Sequence, residues 1–428
     1  MTKLSLKQKI SFYPHLPIWK RIYHLILREV AKFWLKLNPK VKIIAITGSF
    51  GKTYTVYLLT SFLKNIVPTI ATDLNLDTIF NLPLTILKIR KIHRWAVFEI
   101  GVDHKNEMDF HLDLFKPDIV VFTGISPVHS EKDLLGSKEG IKKEKGKLIL
   151  SLTKNGLLIY NFDDPDVKEM IQNCPARKIS YSLFNKKADY FSKKYLLKPS
   201  GTDFWLFSNL SQKTIRIKSK LFGVHFAHQF AIVFALAENQ KIDPKIIEKL
   251  ALTTKPLSGR MSLEKFINNS YLLNDRLRAN PASTQAGLRT VKELRKFFKR
   301  TIIIMGEMGE LGKRAEIEHQ KIGKIINQEI QPNFFIGIGP LTANIVDEIT
   351  NKNTKSFFCR HPLQAAKLLE TKINLSQGDL IYIKASLFRH LERVELKLEG
   401  VNVNCKVISC PFYNACENCQ YLTTGYSG

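Results

Sequence analysis

The sequence predicts an α/β fold, and three observations lead to this prediction. From residue 41 onward, short runs rich in β-branched residues alternate with longer patterns of helical periodicity. The apolar fraction of 44% is enough to bury a sizeable core, and no internal repeat interrupts the alternation. The expected strands are 41–47, 95–100, 118–125, 157–160, 271–273, 301–305, 334–337 and 380–384, with a meander of strands within 187–217 and a linker at 250–259.

Length and composition narrow the class of protein further. The 428 residues suggest two or three domains, and a charged fraction of only 24% excludes a disordered, collagen-like or coiled-coil chain. We find no apolar stretch long enough for a spanning helix and no secretory signal. Six cysteines do not make a disulfide scaffold in a chain of this length, so we expect a cytoplasmic protein. The net charge of +27 leaves nucleic acid, an anionic membrane surface and an acidic substrate open as partners.

A phosphate-binding loop is expected where the first strand ends. The run ITGSFGKT at 46–53 joins that strand to a helix, and Gly48 and Gly51 let several backbone N–H groups converge on phosphate oxygens. Lys52 would reach the outer phosphates, and the Thr53 hydroxyl would ligate Mg²⁺. The generic GxxxxGK[ST] spacing fails, because Ile46 stands at the first glycine position. The alternative is a strand–helix turn with an incidental lysine, but the surrounding pattern favours the phosphate loop.

Three further residues are candidates because of their positions. Glu99 closes the strand at 95–100, where a carboxylate beside a phosphate loop is well placed to hold Mg²⁺. The next strand leads to His129, and Lys145 follows on a Lys- and Glu-rich helix. Each of the three also has an ordinary interpretation, as a solvated acid, a structural histidine and a solvated lysine.

The motifs together resemble the Mur ligases, and most of all the MurF type, over residues 41–395. The resemblance rests on an ordered set of short motifs rather than on any one of them. They are ITGSFGKT at 46–53, FEIG at 98–101, PDIVVFTGISPVH at 117–129, the helix through Lys145, NFDDP at 161–165, Gly259-Arg260, Asp275, ANP at 279–281, and MGEMGELG at 305–312 with His319. It implies a P-loop Mur ligase central domain at 41–254 and a Rossmann-like Mur ligase C-terminal domain at 255–400. Residues 1–40 and a Cys-rich tail at 401–428 would flank them.

The resemblance also implies roles for individual residues. Lys52, with Thr47, Gly48, Ser49 and Gly51, would bind the ATP phosphates, and Thr53 and Glu99 would hold one Mg²⁺. His129 would ligate a second Mg²⁺, and Lys145 matches the lysine that is carbamylated in many members. Gln229, Arg260 and Asp275 would contact the adenine, phosphate and ribose of the nucleotide. The implied reaction passes through an acyl phosphate that an amine then attacks.

Several positions depart from the MurF pattern. The 40 residues before the loop are shorter than the UDP-binding domain of that type. Asn75 and Pro83 are kept, but the paired asparagine between them is lost. Arg276 and Arg278 stand where small or neutral residues are expected, and KAS at 384–386 replaces KGS. The ATP-binding part is therefore better kept than the substrate-facing part.

Residues 17–37 form an amphipathic helix pattern in the N-terminal segment. Lys20, His24, Arg28, Lys32 and Lys36 make a basic stripe, while Ile18, Ile22, Ile26, Val30 and Phe33 make an apolar face. Residues 1–42 hold ten Lys or Arg and one acid, Glu29. We favour a helix that covers the ATP-binding domain. The alternative is an interfacial membrane helix.

The tail contains four cysteines, Cys405, Cys410, Cys416 and Cys419, spaced C-x4-C-x5-C-x2-C. Four thiolates could hold a structural Zn²⁺, although only the last pair has the spacing of a zinc knuckle. Free thiols in a small appendage are the favoured interpretation.

The sequence therefore predicts a monomeric ATP- and Mg²⁺-dependent carboxylate–amine ligase. It would add an amino acid or a dipeptide such as D-Ala-D-Ala to an anionic cell-wall precursor, in the cytoplasm or at the inner face of the membrane. A ligase of the polyglutamate or cyanophycin type is the sibling alternative. A nucleic-acid-binding P-loop protein is disfavoured because no nucleic-acid motif accompanies the charge. A catalytically silent relative also stays open, since Gln229 and the run at 274–281 depart from the pattern.

Overall fold

The computed structural model describes residues 4–73, 76–126, 135–412 and 415–426. The chain forms two compact units. The first consists of Met1–Tyr195, Asp203–Lys218 and His225–Thr254, and the second of Leu196–Thr202, Ser219–Val224 and Lys255–Gly428. His129 and Asn75 lie outside the described residues.

A nine-stranded sheet forms the centre of the first unit. Its spatial order is β2-β3-β1-β4-β5-β6-β7-β8-β9, and the pairs from β2 to β7 are parallel. Parallel strands need crossover connections, which explains the alternation of strands and helices in the sequence. The strands are β1 (Lys42–Thr47), β2 (Thr69–Ala71), β3 (Trp95–Glu99), β4 (Ile119–Phe122), β5 (Leu157–Asn161), β6 (Arg177–Ser182), β7 (Tyr190–Lys198), β8 (Gly201–Ser208) and β9 (Thr214–Ser219).

Nine helices are described up to residue 253. The central strands are buried on both faces, because helices cover the sheet on either side. The helices are α1 (Leu6–Ser11), α2 (Ile18–Lys36), α3 (Lys52–Lys64), α4 (Thr78–Leu87), α5 (Glu107–Leu112), α6 (Lys138–Leu150), α7 (Pro165–Met170), α8 (Phe226–Asn239) and α9 (Lys245–Thr253).

The second unit is built on a six-stranded sheet of order β10-β11-β15-β12-β13-β14, in which only the β10–β11 pair is antiparallel. Alternate residues of its strands, such as Ile302 and Ile304, enter one buried cluster, as expected for side chains of period two. The strands are β10 (Ser262–Lys265), β11 (Tyr271–Asp275), β12 (Arg300–Gly306), β13 (Phe334–Ile338), β14 (Lys355–Cys359) and β15 (Asp379–Lys384). The helices are α10 (Pro281–Leu294), α11 (Ala315–Ile325), α12 (Ala343–Asp347), α13 (Pro362–Leu368) and α14 (Glu392–Leu398).

The predicted α/β class is confirmed, and so is each strand predicted from the sequence, with shifts at the ends. The linker prediction is wrong in its first part, because residues 250–253 are the last turn of α9. Four strands were not predicted: β2, β6, β10 and β14. β2 has only three residues, and two of the four in β10 are charged, so neither carries a clear apolar pattern.

Helix α2 confirms the predicted N-terminal helix. A helix that covers a domain would be expected to pack its apolar face inward, but α2 is oriented the other way. The middle of the basic stripe, with Arg28 and Lys32, faces the first unit, and the apolar face points to solvent. No helix in the described part of the chain is both long and apolar enough to cross a membrane.

Candidate active site

The turn between β1 and α3 has the geometry of a phosphate-binding loop. Gly48 and Gly51 have φ angles of +143° and +75°, a region that favours glycine. A Cβ atom on Gly48 would lie 2.0 Å from the Thr123 hydroxyl, so a side chain at this position would also clash sterically. Ser49 is held by a 2.8 Å hydrogen bond from its backbone N–H to the Gly124 carbonyl. The loop leads directly into the N-terminus of α3, which begins at Lys52.

Lys52, Thr53 and Glu99 are brought together at this loop. Ile46 of β1 pairs in register with Glu99, so the carboxylate lies beside the loop that follows β1. The Thr53 hydroxyl lies 3.4 Å from the Glu99 carboxylate. The Lys52 ammonium donates a 2.9 Å hydrogen bond to the Gly48 carbonyl, at the place where a phosphate would be cradled. Thr47, at the end of β1, is fully buried and donates to the Ile100 carbonyl.

Lys145 is a buried lysine on α6. Burial and, to a lesser extent, the nearby charge of Lys52 lower the pKa of its ammonium to about 7. Asp103, Glu107 and Glu144 act in the opposite direction. A lysine with a pKa near 7 is partly neutral at physiological pH, which an exposed lysine is not. The structure thus rejects the interpretation of Lys145 as a solvated surface residue.

Glu107 belongs to the surroundings of Lys145, and the sequence did not single it out. It accepts hydrogen bonds from the backbone N–H groups of Asp103 and His104, and it lies 3.5 Å from the imidazole of His111. Burial opposes its ionisation, but the hydrogen bonds from His104 and His111 outweigh burial and lower the pKa of Glu107. The sequence carries a usable signal, since Asp103 and Glu107 closely follow Glu99, between the end of β3 and the start of α5.

Gln229 and Thr123 also reach the phosphate loop. Gln229 lies on α8, and its side-chain nitrogen would be 3.0 Å from a Cβ atom on Gly51. Its amide oxygen is buried without a hydrogen-bond partner. Thr123 donates to the Phe50 carbonyl at 2.5 Å and fixes the tip of the loop. Thr123 was part of a motif in the sequence, but no role was assigned to it.

The NFDDP turn holds the loops next to this site. Asn161 donates to the Thr123 carbonyl, and Asp164 accepts a 2.7 Å hydrogen bond from the Ile125 N–H. Asp163 contacts the imidazole of His228 at 2.9 Å. Burial opposes ionisation of Asp163, but the bonds from His228 and a serine hydroxyl lower its pKa. The motif is therefore a structural support in this chain.

In the second unit, Asp275 forms a buried ion pair with Lys384. The Lys384 ammonium donates a 2.6 Å hydrogen bond to the carboxylate, and the Tyr382 hydroxyl donates another at 3.2 Å. Burial raises the pKa of Asp275, although the charges of Lys384 and Arg260 oppose that shift. Arg260 and Asp275, predicted as a pair, are therefore within electrostatic range of each other.

Arg276 lies among acidic side chains of the second unit, and its position in the motif does not predict these partners. It pairs with Glu395, and its Nε lies 3.7 Å from a Glu392 oxygen. Asn274 also donates to Glu395. These acids lie about 120 residues away in sequence, so the motif alone could not reveal them. Arg278 is exposed.

The loop after β12 is held by His319. Its Nε2 accepts a 3.0 Å hydrogen bond from the Met308 N–H, and its Nδ1 contacts the Ala315 carbonyl. Burial lowers the pKa of His319, which suits a neutral imidazole that accepts at one nitrogen. Glu307 of the same loop pairs with Arg389 at 2.8 Å.

Three of the four tail cysteines are buried, and all are free thiols. Among the described residues, the only group of three or more potential ligands within 4.8 Å is His390, Glu392 and Cys416. No three of the cysteine sulfurs approach so closely, whereas sulfurs around one Zn²⁺ lie about 3.8 Å apart. His390 and Glu392 are bonded to each other at 2.7 Å. The structure gives no support to a four-thiolate site, and zinc binding stays a prediction for metal analysis of the purified protein.

An open parallel sheet with this glycine loop, a lysine and a threonine–carboxylate pair defines a P-loop nucleotide-binding protein. Residues 46–237 match the Mur ligase middle domain, and residues 259–387 match the glutamate ligase domain of Mur ligases. The chain belongs to the Mur ligase family, and it is an ATP-dependent ligase that forms amide bonds.

The relatives are of the MurF type. The UDP-N-acetylmuramoyl-tripeptide–D-alanyl-D-alanine ligase of Haemophilus influenzae is 30% identical over 335 residues, which is 77% of this chain and 70% of the relative. The enzyme of that name from Bacillus subtilis is 29% identical over 371 residues, 86% of this chain and 78% of the relative. MurF from Acinetobacter baumannii has the same fold, with a TM-score of 0.77 at 23% identity over 88% of this chain and 80% of that one. MurF from Thermotoga maritima in complex with ADP has a TM-score of 0.75 at 22% identity, covering 88% and 83% of the two chains.

Proposed function

We propose that the chain joins D-Ala-D-Ala to the terminal carboxylate of a peptidoglycan-precursor tripeptide at the expense of ATP. The names of the relatives support both substrates. The observation that carries the proposal is the placement of Lys52, Thr53 and Glu99 at one loop. Residues 41–254 would form the ATP-binding domain, and residues 255–400 would contribute Arg260 and Asp275 to nucleotide binding.

In the first step, an oxygen of the substrate carboxylate attacks the γ-phosphorus of ATP. The bond from that phosphorus to the ADP oxygen breaks, which leaves ADP and an acyl phosphate. Negative charge spreads over the phosphoryl oxygens as this happens, so fixed N–H donors and a cation stabilise the transition state. The loop from Thr47 to Thr53 supplies these donors, and Lys52 would exchange its bond to the Gly48 carbonyl for one to phosphate.

The donor set at the loop fits Mg²⁺. A hydroxyl and a carboxylate are hard oxygen ligands, and those of Thr53 and Glu99 lie on one side of the loop at 3.4 Å from each other. When bound, Mg²⁺ would neutralise charge on the transferred phosphoryl group. We propose Thr53 and Glu99 as its ligands, and His129 as a ligand of a second ion.

Lys145 would supply a further carboxylate-like group after carbamylation. A neutral amine nitrogen attacks the carbon of CO₂, and one amine proton is released to water. The buried position raises the share of the neutral amine that reacts, because the ammonium form is disfavoured there. The resulting carbamate oxygens would be ligands of the kind that Mg²⁺ prefers.

In the second step, the amine of the dipeptide attacks the acyl carbon. The carbon–oxygen bond to phosphate then breaks, inorganic phosphate leaves, and the nitrogen loses a proton as the amide forms. We propose that Gln229, whose buried amide oxygen has no hydrogen-bond partner, helps to bind the nucleotide throughout.

The test is ADP release with the muramoyl tripeptide, with and without D-Ala-D-Ala. We expect ADP formation that requires both substrates and that falls at least a hundredfold in Lys52→Ala. Lys64→Ala is the matched control, because Lys64 is exposed at the other end of the same helix. Release of ADP with glutamate chains instead of the tripeptide would favour the polyglutamate alternative. Absence of amine-dependent ADP with any cell-wall precursor would overturn the proposal.

A further inference from the structure

Helix α2 packs on the first unit with the side that carries most of its basic stripe. Arg28 is buried, its guanidinium carbon lies 3.5 Å from the centre of the Phe110 ring, and it donates to the Phe110 carbonyl. Lys32 donates a 2.6 Å hydrogen bond to Asp113. Burial lowers the pKa of Arg28 to about 10, so it stays protonated at neutral pH. The exposed apolar face therefore takes no part in docking this helix, which is held by these contacts together with the buried Ala31 and the partly buried Trp34 and Leu35.

The opposite face of α2 is apolar and exposed. Its side chains recur every three or four residues, and between 47% and 64% of the surface of each is open to solvent. They are Ile18, Trp19, Ile22, Tyr23, Ile26, Val30, Phe33 and Leu37. Leu6 of α1 is 68% exposed beside them, and the two helices border an open groove lined by Ile10, Ile22, Ile26 and Phe33.

A contiguous exposed apolar face of this kind is unusual on the surface of a soluble protein. Single exposed apolar residues are ordinary, but a contiguous patch of this kind marks a binding surface. The rest of the first unit does not cover it, because that unit contacts the other side of the helix.

Charge distinguishes between a membrane surface and a second copy as the partner of this face. Residues 1–42 carry ten Lys or Arg and one acid, and among them Lys7, Lys20, Lys36 and Lys40 are exposed. The single acid, Glu29, lies 3.8 Å from Lys9, which offsets its charge. A symmetric pair of copies would bring these positive surfaces together, whereas anionic lipid headgroups would complement them.

We propose that the exposed face of α2 binds the surface of an anionic phospholipid membrane. The helix is 19 residues, about 28 Å, long and would lie in the plane of the interface. Ile22, Ile26 and Phe33 would enter the acyl boundary, while Trp19 and Tyr23 have the amphipathic rings that favour the headgroup region. Lys20 and Lys36 would contact lipid phosphates. This surface is separate from the phosphate loop, and the inference does not depend on the proposed substrates.

Vesicle sedimentation of the full chain tests the proposal. The probes are vesicles of phosphatidylcholine alone and of phosphatidylcholine with one-third phosphatidylglycerol, at about 0.15 M salt. Ile26→Ser/Phe33→Ser removes the apolar contact without changing the charge, and both residues are exposed, so the fold should persist. Leu210→Ser is the matched control, since Leu210 is equally exposed elsewhere in the first unit. ADP release and circular dichroism report whether each variant is folded.

We expect the native chain and Leu210→Ser to bind the anionic vesicles, and the double variant to bind at least tenfold more weakly. Vesicles without phosphatidylglycerol should bind the native chain much less. If the double variant binds the anionic vesicles as tightly as the native chain, the net charge of +27 alone accounts for the binding. That result would overturn the proposal. A native dimer in sedimentation velocity that the double variant converts to a monomer would also overturn it, by assigning this face to a second copy.

Discussion

The Thr53 hydroxyl lies 3.4 Å from the Glu99 carboxylate, although 46 residues separate them in the chain. The contact follows from the parallel pairing of β1 and β3, which sets Ile46 opposite Glu99 and so brings the end of one strand to the loop that follows the other. Because the two oxygen groups lie close together, we expect the Mg²⁺ requirement of the ligase to depend on Glu99.

Glu99→Gln should raise the Mg²⁺ concentration needed for half-maximal ADP release by at least tenfold. The amide keeps the size of the side chain but removes the charge that attracts a divalent cation. Unfolding in urea should change by less than about 1 kcal/mol, because the hydrogen bond to Thr53 can persist. Glu139→Gln, at an exposed position of α6, is the control. An unchanged Mg²⁺ requirement would remove Glu99 from the proposed ligands.

The parts of the fold that the sequence predicts are those with local causes. The strands and the phosphate loop depend on apolar runs, glycine positions and a helix start, all within about a dozen residues. The orientation of α2 has no such cause. Its periodicity predicts two faces, but Arg28 meets Phe110 and Lys32 meets Asp113 more than 80 residues away, and these partners decide which face is buried.

The site follows the same rule. Lys52 and Thr53 could be predicted from one motif, whereas the surroundings of Lys145 combine α6 with Asp103 and with Glu107 at the start of α5. A single sequence does not show which acids reach a buried lysine. For the same reason, Arg276 could be placed in a motif but not matched with Glu395.

Lys145→Met should abolish ligase activity and at the same time stabilise the protein at pH 7. The pKa of Lys145 is about 7 in the folded chain and 10.5 when exposed, so between these values the unfolded chain binds more protons. In CO₂-free buffer, where Lys145 stays an amine, stability of the native protein should consequently rise with pH from about 7 to about 10.5, and this residue contributes an increase of about 5 kcal/mol. The Met variant should lose that slope in urea titrations at several pH values.

Lys147→Met is the control for this experiment, because Lys147 lies two residues further along α6. Its ammonium bonds to Asp109 at 2.7 Å and to Glu144 at 2.8 Å, and both acids are buried. Its removal should destabilise the protein by about 2–3 kcal/mol. Destabilisation by both variants would show that Lys145 has stabilising partners, contrary to the prediction.

Asp275→Asn should destabilise the protein by about 3–5 kcal/mol, because it leaves the buried Lys384 ammonium without its counter-charge. Asp275→Asn/Lys384→Met should recover part of this loss, since it removes both charges together. The measurement is the urea midpoint, with the slope of the transition as a check on two-state unfolding. If the double variant is as unstable as the sum of the two single variants, the pair is not coupled.

Gly48→Ala should weaken ATP binding by more than tenfold. The new Cβ atom would lie 2.0 Å from the Thr123 hydroxyl, and the φ of +143° is strained for any residue with a side chain. Thr123→Ala in the same chain should restore only part of the affinity, because it removes the closest contact but leaves the strain and the 3.0 Å contacts with the Gly124 backbone, and it loses the hydrogen bond to Phe50. Gly146→Ala is the control, because Gly146 lies within α6 and a Cβ atom there would be 3.4 Å from its nearest neighbour, the methyl group of Met170. This substitution should stabilise the helix by about 0.5–1 kcal/mol. Calorimetric titration with ATP separates these effects, and unchanged affinity in Gly48→Ala would show that the nucleotide does not use this loop.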